Sequence, residues 1–152
     1  MALKSDRIEH LTDISFFMTT TAERGGVVSA TATSGSGVSM DDANAVVAYS
    51  AVGTGVNPVG VLLNDVVNYD LTRQHINWHK DEVQVGGKVT LLRVGQVTTN
   101  MLVPGISPTV GTKAYVGASG LIGTSSTNSV QIGSFLSSKD ADGYAKVSVN
   151  IA

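Results

Sequence analysis

The sequence predicts an all-β fold, a small antiparallel β-barrel or sandwich with an extended N-terminal arm. Three observations carry the prediction. Over the last 70 residues the apolar positions fall in short alternating runs, among them Val83/Val85, Val89/Leu91, Tyr115-Val116, Ile132/Phe135 and Val147/Val149/Ile151, the pattern of half-buried strands. Glycine cuts these runs at Gly86-Gly87, Gly95, Pro104-Gly105, Gly111, Gly117, Gly120, Gly123 and Asp142-Gly143, which read as the turns between strands. The recurring unit of strand, glycine turn and strand reflects hairpins rather than a repeat of fixed period.

The elements follow in order. Residues 1–20 stand apart, because Ile14-Ser15-Phe16-Phe17-Met18 holds two of the three phenylalanines. Such a patch near a terminus is either an arm that docks on a neighbour or the first strand of the core. Residues 21–152 read as a single β domain. Gly25 to Thr33 alternates small and β-branched residues as a strand can, and Ser34-Gly35-Ser36-Gly37 is loop by composition. Ser39-Met40-Asp41-Asp42 could cap a helix, yet Ala45-Val46-Val47-Ala48-Tyr49 has strand character, so loop then strand is expected. Val59 to Tyr69 favours strand, and Gly60 weakens any helix there. Asp70 to Glu82 is the most polar stretch and holds the lone tryptophan, so it reads as a long surface loop.

Composition narrows the function. The chain has 152 residues, enough for one domain. Charged residues make up 14%, against about 25% in ordinary soluble domains, as expected of a surface partly covered by partners. The net charge is −2 and no two of the ten basic residues are adjacent, so the basic footprint of a nucleic-acid binder is missing. No apolar run reaches membrane-spanning length, no secretory leader is evident, and there is no cysteine. A cytoplasmic origin and no membrane partner are therefore expected.

Signals for chemistry are weak. His75 and His79 would share a helix face, with Asp81 or Glu82 as a third metal ligand, but Ile76 stands where a zinc protease places its glutamate. Asp140-Ala141-Asp142-Gly143 resembles the start of a calcium loop, but Val149 stands where its glutamate belongs, and a β-turn is expected. Gly86-Gly87-Lys88 lacks the rest of a phosphate loop, and Ser119 lacks the second glycine of a nucleophile elbow. The expectation is therefore no catalytic residue, no metal and no cofactor. Ile14, Phe16 and Phe17 are candidate protein-contact residues as an apolar patch. Arg73 and Trp78 join them, because such side chains bury large area while keeping a polar end.

From Gly60 to Ile151 the chain resembles the head decoration proteins, or capsid-stabilising cement proteins, of tailed bacteriophages. The resemblance lies in Val59-Gly-Val-Leu-Leu-Asn-Asp-Val-Val, Asp70-Leu-Thr-Arg-Gln and Asp81-Glu-Val-Gln-Val-Gly-Gly-Lys-Val-Thr-Leu-Leu. It continues in Gly95-Gln-Val-Thr-Thr-Asn, Val110-Gly-Thr-Lys-Ala-Tyr-Val-Gly, Ile132-Gly-Ser-Phe-Leu and Asp142-Gly-Tyr-Ala-Lys-Val. It implies a non-enzymatic virion protein, assembled in the host cytoplasm, that binds the outer surface of the capsid. There it would clamp major capsid protein subunits, commonly as a trimer. The alternatives are another virion structural β protein of tail or fibre, or a ligand-binding β module. An arm reading of residues 1–20 further implies that removing residues 1–18 leaves a folded β body unable to decorate heads.

Overall fold

A computed structural model of the chain describes residues 2–30, 46–68, 72 and 82–151. It is largely β. The strands are β1 (Ile8–Met18), β2 (Val27–Ala30), β3 (Val46–Tyr49), β4 (Pro58–Leu62), β5 (Asp65–Val67), β6 (Glu82–Gln84), β7 (Lys88–Thr99), β8 (Lys113–Val116), β9 (Ile122–Gly123), β10 (Gln131–Phe135) and β11 (Ala145–Asn150). A 3-10 turn, Ala118–Gly120, separates β8 from β9.

Nine strands form one mixed sheet in the order β1-β3-β2-β4-β7-β11-β10-β8-β9, while β5 and β6 form a separate parallel pair. The long strand β7 organises the whole. It carries β1 antiparallel from Lys88 to Gln96, and it also pairs with β4 at Leu91-Leu92 and with β11 from Val94 to Thr99. Because β1 also meets β3, pairing runs β1-β3-β2-β4-β7 and returns to β1. A circuit of five strands cannot alternate direction throughout. One pairing must be parallel, and it is β1 with β3, through Phe17-Val46 and Met18-Val47. The expected purely antiparallel sheet is corrected on that count.

The circuit also places a core on each side of shared strands. Val27, Val61, Leu63, Leu92, Val97, Phe135, Val147 and Val149 belong to the larger core. Met18, Val28, Val47, Leu62, Val66, Val89 and Leu91 belong to the smaller one. Successive side chains of a strand point to opposite faces. A strand buried on both faces therefore reads as a continuous apolar run, and Val27-Val28, Val61-Leu62-Leu63 and Leu91-Leu92 are such runs. β11 buries one face and keeps the simple alternation, with Ala145, Val147 and Val149 inward, whereas β10 buries Ile132 and Phe135 three apart beside an irregularity in its pairing with β8.

Three expectations change. Residues 8–18 are a strand with its backbone committed to β7, not an extended arm. Leu3 is buried in the larger core and Met18 in the smaller. Removing residues 1–18 would therefore strip both cores and the edge of β7 rather than leave a folded body. Gly95 is not a turn. It lies inside β7 with φ +156°, and a Cβ there would stand 2.1 Å from the Ile8 carbonyl oxygen, so the close approach of β1 requires glycine. The strand expected from Val59 to Tyr69 is interrupted at Leu63-Asn64, where Asn64 Oδ1 accepts the Thr90 N–H at 2.8 Å. The cap proposed at Ser39 and most of the polar loop from Asp70 lie outside the described residues.

Candidate contact surface

The most unusual surface lies on β1. Among the large apolar side chains, Ile8 is 44% exposed, Leu11 48% and Ile14 65%. Three register shifts against β7 occur between Glu9 and Phe16. Each extra residue resets the alternation, and apolar positions spaced by three all reach solvent. Among the described residues β1 pairs with β7 along its length and with β3 at Phe17 and Met18.

The five candidate contact residues divide. Ile14 sits on this exposed strand. Phe16, half-buried, packs against the smaller core, and Phe17 lies under Lys88, whose Nζ is 5.5 Å from the ring centroid. Phe16 is thus chiefly a packing residue of this chain. Arg73 and Trp78 lie outside the described residues, as do His75 and His79. Ile8 and Leu11 were not singled out from sequence. Their exposure depends on the bulges, although their spacing to Ile14 is visible in the chain.

Polar groups hold this strand in place. Asp13 Oδ1 accepts the backbone N–H of Ser15 at 2.8 Å and its hydroxyl at 2.5 Å, and Oδ2 lies 3.5 Å from Arg93 Nη1. Arg93 Nε donates to the Ile151 carbonyl at 3.1 Å, which ties β1, β7 and the end of β11 together. Partial burial pushes the Asp13 carboxyl up, but the Ser15 hydroxyl and amide and the Arg93 charge outweigh it, and the group sits below the ordinary aspartate range. In front of β1, Lys4 Nζ lies 3.3 Å from Asp140 and 4.5 Å from the Tyr144 ring centroid, latching the N-terminal segment to the turn before β11.

That turn is the one expected at Asp140-Ala141-Asp142-Gly143. Asp140 Oδ1 accepts the N–H groups of Asp142 at 3.0 Å and Tyr144 at 2.8 Å, and its pKa is held down, first by the Tyr144 amide. The carboxylate is therefore engaged with its own backbone. No group of three metal-ligating side chains occurs among the described residues.

A broad hollow of about 630 Å³ opens beside Tyr49, with Glu23, Asp65 and Glu82 on its walls. The hollow is braced from within. Tyr49 Oη donates to the Glu23 carbonyl at 2.5 Å and accepts its N–H at 2.6 Å, and Arg24 Nη2 lies 3.3 Å from Asp65. Burial foremost raises the Tyr49 pKa, so its phenol stays protonated and keeps donating. The geometry is that of a strut rather than a general base. No protein-family model matches the chain, and no curated protein matches it in sequence.

Proposed function

We propose that this chain is a non-enzymatic structural protein of a virion, which binds the outer surface of a phage capsid and stabilises contacts between major capsid subunits. In this reading the circuit β1-β3-β2-β4-β7 is a small closed barrel, and β8 to β11 extend one of its walls. The protein acts as a trimer, with no direct nucleic-acid or membrane contact.

The observation that carries the reading is the set Ile8, Leu11 and Ile14 exposed together on β1. Apolar side chains of this size each contribute roughly 1.5–3 kcal/mol when fully buried, before the cost of ordering the contact. Three such residues make a modest single contact. Repetition over a closed shell turns modest contacts into firm attachment, because binding at one site raises the effective concentration at the next. The register shifts of β1 blunt it against indiscriminate sheet growth, which suits a surface meant for one partner. The low charge and the resemblance to head decoration proteins point the same way.

The test is co-expression with a major capsid protein from the same genome, followed by gradient separation of heads. The wild-type chain is expected to co-sediment with heads and to have a trimeric native mass. Ile14→Asp is expected to keep its dispersed amide spectrum and leave heads bare. Wild-type protein that never travels with heads, or Ile14→Asp that decorates to full occupancy, overturns the reading.

A further inference from the structure

A second concave feature lies away from β1, between the end of β8, the 3-10 turn and the loop after β9. It is a half-enclosed cleft of about 380 Å³, within the usual range of small-molecule pockets. Val103, Ile106, Val116 and Leu121 line its floor, and Val116 and Ile106 are also part of the larger core or packed on it. The rim is made of hydroxyl residues, Thr124, Ser125, Thr127 and Ser129.

The hydroxyls are not equivalent. Ser129 Oγ donates to the Val116 carbonyl, and Ser125 Oγ accepts the Thr127 N–H at 3.3 Å. The hydroxyls of Thr124 and Thr127 have no partner among the described residues, so both can serve a guest. No lining side chain ionises. A charged guest would lose its hydration here without a counter-charge, which is strongly unfavourable.

Unusual backbone borders the cleft. Ser119 (φ 55°) and Asn128 (φ 51°) are the only non-glycine residues with positive φ among those described, and each lies within a segment that borders the cleft. Such conformations cost of order 1–3 kcal/mol and collect at ligand clamps. Asn128 Oδ1 accepts the Thr54 N–H at 3.3 Å, which fastens the rim loop to the turn carrying Val52, another lining residue.

We infer that this cleft binds a neutral, mostly apolar small molecule whose single hydrogen-bonding group meets Thr124 and Thr127. The inference is independent of the capsid reading, since it uses neither β1 nor any partner protein.

The probe is benzyl alcohol, titrated into the intact chain and followed by amide NMR, with benzoate and benzylammonium as charged counterparts of the same shape. Saturable shifts confined to Val116, Leu121, Thr124 and Thr127 and their neighbours are expected for the alcohol, with binding at least about tenfold weaker for either ion. Ala118→Trp fills the cleft from an exposed position and is expected to abolish the shifts. Ser125→Trp fills it from the opposite rim and serves if the first variant misfolds. Ile14→Asp, remote from the cleft, leaves them unchanged. Shifts that do not saturate, that spread over the surface, that persist in the filled variants, or that the ions reproduce at equal strength overturn the inference.

Discussion

Asp13 shows how one side chain couples a strand to its neighbours. Its carboxyl is held below the ordinary range, so the unfolded chain binds its proton more readily than the folded one. The stability it contributes is complete above the unfolded value near pH 3.9 and is lost as the pH falls toward the lower folded value. Asp13→Asn should therefore cost about 1 kcal/mol at pH 7, kept small by solvent screening, and the deficit should shrink by pH 3. Urea unfolding at the two pH values measures the difference. Gly95 makes the steric counterpart. Gly95→Ala would press a methyl group into the Ile8 carbonyl and should cost roughly 3 kcal/mol, read from the shift in urea midpoint. In sequence Gly95 is one glycine among apolar residues, and such a glycine marks either a turn or a close backbone approach. Only the neighbouring strand decides between them, and its residues facing Gly95, Ile8 and Glu9, lie more than eighty positions earlier.

At the scale of elements, β7 divides the interior. Leu91 serves one core and Leu92 the other, so a strand of twelve residues is the wall they share. Met18→Ala should cost about 2–5 kcal/mol and Phe135→Ala about 3–5 kcal/mol, each by leaving a cavity in a different core. With no shared buried neighbours, the double variant should sum the two to within about 0.5 kcal/mol. Equilibrium unfolding of the three variants checks this. How legible each element was follows from its burial. β11 hides one face, so Ala145, Val147 and Val149 alternate and are plain in sequence, whereas Ile132 and Phe135 of β10 lie three apart and show only that they are apolar. β2 and β4 hide both, and Val27-Val28 and Val61-Leu62-Leu63 state burial without stating direction. The patch Ile14 to Met18 was visible as apolar. Whether it was arm or strand depended on β7, because residues 1–20 contain nothing that pairs with it.

Over the whole molecule, stability and association separate. Ile14 contributes little to either core, so Ile14→Asp should move the unfolding free energy by less than about 0.5 kcal/mol while removing attachment to heads. A large loss of stability would place Ile14 in the fold instead, and thermal melts beside the gradient experiment distinguish the two. The contact surface was less legible than the sheet, because bulges and not composition bring Ile8 and Leu11 to solvent.

The pairing of Ile8 with Gln96 has a consequence for biosynthesis. The first strand leaves the ribosome well before its mate has been made. At about 5–20 residues per second, the 88 intervening additions take roughly 4–18 s. Throughout that interval Phe16 and Met18, which the folded chain packs with Val89 and Leu91 of β7 in the smaller core, have no β7 to cover them, so the early product carries apolar surface that only the later strand removes.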